Sequence, residues 1–277
     1  MAIVQQAMQG YHYIFDELSD PRTKDWWLVA GPGPLLTILA TYLYFSIKAG
    51  PKYMETRKPY NLKTVVFWYN VIQIILSAYI TYLGAYFILT EKYTNKCYNV
   101  DHSESPSAMR WARGVWIFYF GKITELLDTV FFVLRKKERQ ISFLHLYHHT
   151  IMPIVAFIGI KYAAGGQSVA EGSINGLIHV VMYTYYLIAG LGPEYQKYLW
   201  WKKHLTTMQL IQFCIVAYLN INSLTSTTCN YPKFLSILVM MNCFAFFYMF
   251  GKFYYHNYMK IRQNKTDISV KVAAKAS

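Results

Sequence analysis

Ile141–Thr150 reads ISFLHLYHHT, placing three histidines in a stretch otherwise apolar enough to sit in a lipid bilayer. On a helix His148 and His149 follow His145 by three and four residues, so the three imidazoles project from one face within about one turn. Imidazole changes charge near neutral pH and serves as base, nucleophile or metal ligand. Polar groups at membrane depth are costly and mark function, which favours an active site over histidines that merely hydrogen-bond between packed helices.

Other polar residues fall at helical spacing in neighbouring apolar stretches. Lys122, Glu125 and Asp128 recur every third residue and, with Thr129, occupy an arc of about 120° on a helix; they must face the protein interior or a wet cavity. Asn175, His179, Tyr183 and Tyr186 form a second polar stripe, and Thr206, Gln209 and Gln212 a third. Counting about 1.5 Å per residue from the nearer helix ends, His148 lies roughly 10 Å deep and Asp128 about 9 Å, so the two can meet. Pro153 frees the carbonyl of His149 and is expected to kink the helix beside the cluster.

The elements that carry these residues are membrane spans. Hydrophobic residues make up 55% of the 277 and charged residues 15%, and the apolar runs are long enough for about 30 Å of hydrocarbon. The pattern predicts an all-α polytopic membrane protein, one unit over 1–277, with seven spans near 27–48, 65–90, 114–134, 141–160, 171–191, 205–224 and 234–258 and a tail at 259–277. The start lacks the basic segment of a cleavable signal peptide. GPGP at Gly31–Pro34 is expected to bend the first span near its outer end, and 65–90, with no carboxylate, histidine or interior lysine, reads as wall.

A net charge of +13 invites a nucleic-acid reading, but the location of the bases excludes it. One side holds Lys48, Lys52, Arg57, Lys58, Lys63, Arg135, Lys136, Lys137, Arg139, Lys197, Lys202, Lys203 and the tail bases Lys260, Arg262, Lys265, Lys271 and Lys275. The other holds the smaller set Arg22, Lys24, Lys92, Lys96, Arg110, Arg113, Lys161 and Lys233. By the positive-inside rule the first side is cytosolic, which puts the N-terminus outside, the C-terminus in the cytosol, and the sequon at Asn264 where it is not glycosylated. Cys97 and Cys229 both fall on the non-cytosolic side, where disulfides persist, and a Cys97–Cys229 bridge is expected; Cys214 and Cys243 lie inside spans and read as apolar packing.

HxxHH also resembles one histidine box of the membrane desaturases and hydroxylases. Their di-metal centres draw ligands from several boxes, and of the eight histidines here no two outside the cluster are three or four residues apart, so a di-iron centre is short of ligands. Mononuclear zinc on the clustered histidines stays open. A seven-span receptor or transporter with a buried polar network is the non-enzymatic alternative.

Four blocks together, KITELLDTVFFVLRKK (Lys122–Lys137), HLYHHT (His145–Thr150), NGLIHVVMYTYY (Asn175–Tyr186) and TTMQLIQF (Thr206–Phe213), resemble the very-long-chain fatty acid elongases, the 3-ketoacyl-CoA synthases of the endoplasmic reticulum membrane. The resemblance implies condensation of an acyl-CoA with malonyl-CoA, with loss of CO₂ and CoA, to a 3-ketoacyl-CoA two carbons longer, without metal or other cofactor. It implies six helices in a barrel closed toward the lumen, with the acyl chain in its bore, and as partners membrane lipid, a second copy of the chain and the other enzymes of the elongation cycle. Soluble condensing enzymes use a cysteine, and none lies near the cluster in sequence, so His148 is expected as nucleophile with His145 and His149 orienting it or moving protons. Asn175 and His179 would stabilise the enolate, and Lys122, Glu125 and Asp128 would set the local field. Tyr183, Tyr186, Gln209 and Gln212 would hold substrate, and Arg135, Lys136, Lys137, Lys202 and Lys203 would attract the CoA phosphates. The chain ends KAS, where many members of that family end in paired lysines for retrieval to the reticulum.

Overall fold

The structure, a computed structural model, describes residues 2–91 and 97–260. Lys92, Lys96 and the tail from 261 onward, with the Asn264 sequon, lie outside the described residues. Among the described residues there is no strand, and ten α-helices account for the fold. In chain order they are α1 (Ala2–His12), α2 (Gly33–Tyr44), α3 (Gly50–Met54), α4 (Lys63–Thr90), α5 (Pro106–Thr124), α6 (Leu127–Leu134), α7 (Phe143–Tyr162), α8 (Gln167–Leu191), α9 (Lys202–Thr225) and α10 (Lys233–Tyr254).

Five of these, α4, α7, α8, α9 and α10 with its π-helical extension to Met259, are long and apolar enough to cross a membrane. The expected spans at 27–48 and 114–134 are each interrupted. The first starts only at Gly33, because Pro32 occupies the N-cap and Pro34 the first turn, where a missing N–H costs nothing. GPGP therefore begins a helix where the sequence suggested a bend. The helix then passes through a π turn at Phe45–Ala49 into α3, where Gly50-Pro51 cannot supply a regular bond. The second is divided by a turn at Glu125–Leu126 between α5 and α6. Residues 20–30, placed partly in that first span, form turns instead, and α1 was not anticipated.

Those turns close the end of the bundle remote from the histidines. Arg22 and Asp20 pair at 2.6 Å in full burial, and Arg22 also donates to the carbonyls of Ala108 and Ala164. Thr23 donates to the Ile160 carbonyl, and the Lys161 ammonium donates to the carbonyls of Lys24 and Ala30. The plug is thus held by the C-terminal end of α7. Beside it a disulfide joins Cys97 to Cys229 with Cα atoms 6.0 Å apart, and Gly166, at φ +54°, turns the chain into α8 against the Tyr98 and Asn99 backbone.

The most extensive packing is α4 on α8 and α9 on α10, followed by α5 on α7. In lipid there is no hydrophobic drive between helices, so small residues that let backbones approach are what join them. A Cβ on Gly84 of α4 would stand 2.0 Å from Cβ of Ser173 on α8, and one on Gly176 would stand 3.0 Å from the Ser77 carbonyl. Gly84→Leu should accordingly cost at least about 1–3 kcal/mol and lower the thermal midpoint in detergent by several degrees. Gly190→Ala, on the partner helix α8 but with nothing within 4 Å of the added carbon, should be neutral or slightly stabilising; equal midpoints for the two variants would contradict this packing.

Candidate active site

The histidine helix is fixed at its first turn, because the Ser142 hydroxyl accepts the backbone N–H of His145 and caps α7. From there the side chains divide. His145 and His149 lie in contact with ring centroids 4.2 Å apart and planes tilted by 48°, whereas His148 turns toward α8 and α10, 6.5 Å from the His179 ring and 5.4 Å from Phe246. The single three-histidine face read from the spacing is therefore two faces, as the 100° between adjacent helical residues requires.

The α5–α6 break brings the carboxylates inward. Lys122 Nζ donates to Glu125 Oε1 at 2.8 Å and lies 3.1 Å from His179 Nε2, and both charged side chains are almost wholly buried. His179 Nδ1 is 2.8 Å from the Asn175 carbonyl. A carbonyl only accepts, so Nδ1 donates; in the neutral ring Nε2 then accepts from Lys122. One turn along α6, Asp128 Oδ2 accepts the Tyr183 hydroxyl at 2.8 Å, with Tyr69 edge-on to Tyr183.

A second hydrogen-bond chain reaches the cluster from α2. Tyr42 and Thr129 hydroxyls are 2.9 Å apart, and Thr129 Oγ1 is 2.8 Å from His145 Nε2. Tyr42 carries no signal in the sequence, since a lone tyrosine in an apolar run is indistinguishable from an interfacial one. His149 Nδ1 and the Asn175 Oδ1 are buried without a partner, and such groups cost about 1–3 kcal/mol unless a ligand or water satisfies them.

His148 opens onto a cavity of about 100 Å³ bounded by α5, α7, α8, α9 and α10. Asn175 and Gln212 line it beside His148, and Gly159 and Ser168 line its far end; His148 and Gly159 are about 16 Å apart along α7 by helical rise. Cys243 also lines it, so a thiol distant in sequence lies on the same cavity, packed among Phe213, Val216, Ala217 and Phe246. Among the described residues no three His, Cys, Asp or Glu side chains are grouped to hold a metal ion.

The remaining sequence candidates lie around this centre. Gln209 is half-buried and Tyr186 is exposed, with its ring against Tyr183. Arg135, Lys136 and Lys137 end α6, and Lys202 and Lys203 begin α9, at the histidine end of the bundle. Lys136 donates to the Glu55 carbonyl, while Lys202 and Lys203 lie over the rings of Tyr185 and Tyr254.

Comparison with known proteins adds a family to this geometry. The profile of the ELO, GNS1/SUR4 family, matches residues 27–266. The chain is 41% identical over 268 residues to very long chain fatty acid elongase 7 of Drosophila melanogaster, covering 97% of this chain and 81% of that one. It is 45% identical over 244 residues to very long chain fatty acid elongase 7 of Rattus norvegicus, covering 87% and 86%. With very long chain fatty acid elongase 1 of Homo sapiens it shares 42% over 243 residues, covering 87% of each.

The buried Lys122–Glu125 pair generates a stability prediction. Lys122→Met strands the Glu125 carboxylate and should cost about 3–5 kcal/mol, read as a lowered unfolding midpoint. Adding Glu125→Gln removes the stranded charge and should restore a large part of that loss; a double variant as unstable as the single one would contradict the pairing.

Proposed function

The chain belongs to the ELO, GNS1/SUR4 family, and from that premise we propose that it elongates fatty acids by condensing a long-chain acyl-CoA with malonyl-CoA. The observation that carries this reading is His148 facing a largely apolar cavity, with Asn175 and Gln212 beside it.

In the first step a nitrogen of His148 attacks the acyl thioester carbonyl. The C–S bond breaks, CoA leaves as the thiol after taking up a proton, and the acyl group rests on the imidazole. Malonyl-CoA then loses CO₂, and the resulting carbanion attacks the acyl carbonyl, forming the C–C bond as the C–N bond to His148 breaks and the imidazole takes up a proton. The side-chain amide nitrogen of Asn175, as a donor, suits the enolate oxygen of that step. Lys122, Glu125 and His179 act as a fixed electrostatic set next to it, with His179 held in one tautomer by its two partners. Tyr42, Thr129 and His145 offer a hydrogen-bond chain for the proton that the reaction moves, and the His149 ring packs against His145. No further cofactor enters.

Seven spans follow if the two interrupted stretches, 33–54 and 106–134, are each taken as crossing once; the helices then surround the cavity as a barrel whose plugged end is lumenal. This orientation puts the N-terminus in the lumen of the endoplasmic reticulum, the C-terminus and the basic residues at the cytosolic mouth, and the CoA phosphates among Arg135, Lys137, Lys202 and neighbouring bases. Lipid surrounds the exposed apolar faces, and a second copy of the chain and the other elongation enzymes are the partners this placement serves.

Purified protein given labelled malonyl-CoA and a panel of acyl-CoAs should convert label into 3-ketoacyl-CoA two carbons longer than the acyl donor. Thr129→Val, which cuts the chain to His145, should lower kcat by about 10²-fold or more with little change in KM. Desaturated or hydroxylated acyl product of unchanged length, or no consumption of malonyl-CoA, would overturn the proposal.

A further inference from the structure

The far half of the cavity is not uniformly apolar. Glu171 on α8 lies in its wall, two helical turns beyond His179 or about 12 Å by helical rise. Its Oε1 accepts Nδ2 of Asn220 from α9 at 2.6 Å, and Nδ2 also donates to the Val216 carbonyl. Asn220 is itself fully buried and holds Glu171 without lining the cavity. Nearly one turn deeper the hydroxyls of Ser168 and Tyr231, both lining the same cavity, are 2.8 Å apart. Around them the wall is Val, Ala, Met, Leu and Phe.

A carboxyl and two hydroxyls in an apolar wall at this depth are expensive, and the mechanism above makes no use of them. A plain alkyl chain lying against them would displace water and leave their remaining bonding capacity unmet. A hydroxyl donates and accepts one bond each, which matches the Glu171 carboxyl and the Ser168–Tyr231 pair that line the cavity. We infer that Glu171, held by Asn220, forms with Ser168 and Tyr231 a subsite for a hydroxyl near the distal end of the acyl chain. The inference rests on the reading that the acyl chain occupies this cavity.

Equilibrium binding separates the two statements without relying on turnover. The full-length protein in detergent is titrated with saturated acyl-CoAs of increasing length, each paired with its terminally hydroxylated counterpart. At the length that brings the hydroxyl level with Glu171, the hydroxylated member should bind about tenfold more tightly, as one buried hydrogen bond supports. Glu171→Leu should abolish or reverse that preference, and the isosteric Tyr231→Phe should reduce it for the next longer pair, which keeps the test open should the first variant not fold. Equal or weaker binding of the hydroxylated member at every length, or an unaltered preference in both variants, overturns the subsite while leaving the acyl-chain reading intact. Binding by neither member overturns both.

Discussion

The pairing of Lys122 with Glu125 inside the bundle is the contact on which the centre depends. Two charges three residues apart on one helix would normally meet at a surface, where such a pair contributes under about 1 kcal/mol. Here α5 stops at Thr124 and α6 restarts at Leu127, and the turn between them directs Glu125 and Asp128 into the bundle. Without each other, or without His179 to accept from the ammonium, these charges would not be tolerable at that depth. The same contact fixes which nitrogen of His179 carries hydrogen, positions its ring parallel to that of His148, and ties α5 to α8.

Physical asymmetry between the two ends of the molecule follows from the same logic. At one end the chain uses buried ion pairs and backbone carbonyls to close itself, with Arg22, Thr23 and Lys161 each bonded to a segment far away in sequence. At the other end the polar groups are left with unused capacity: His149 Nδ1 and Asn175 Oδ1 have no partner.

Much of this was legible in advance, for identifiable reasons. Long apolar runs with polar stripes at helical spacing located α4, α7, α8, α9 and α10 to within a few residues, and the spacing of Asn175, His179 and Tyr183 put them on one face before their partners were known. What was not legible is whatever depends on the third dimension. The break at Glu125–Leu126 contains neither glycine nor proline, so nothing local announces it. The division of the histidines onto two faces was implicit in helical geometry but hidden by the appeal of a compact motif. Tyr42 enters through tertiary contact alone, and Cys243, discounted because it is remote in sequence, lies on the cavity. Its surroundings of Phe213, Val216 and Phe246 suit an unreactive thiol.

That leaves the identity of the nucleophile as the central claim, and it is decided before malonyl-CoA is added. Purified protein mixed with acyl-CoA alone should release free CoA in a burst approaching one per active site, and peptide mapping should find the acyl group on His148. His148→Ala should lose the burst and Cys243→Ala should keep it. An acyl group on Cys243, or no CoA released until malonyl-CoA is present, would contradict covalent catalysis through this histidine.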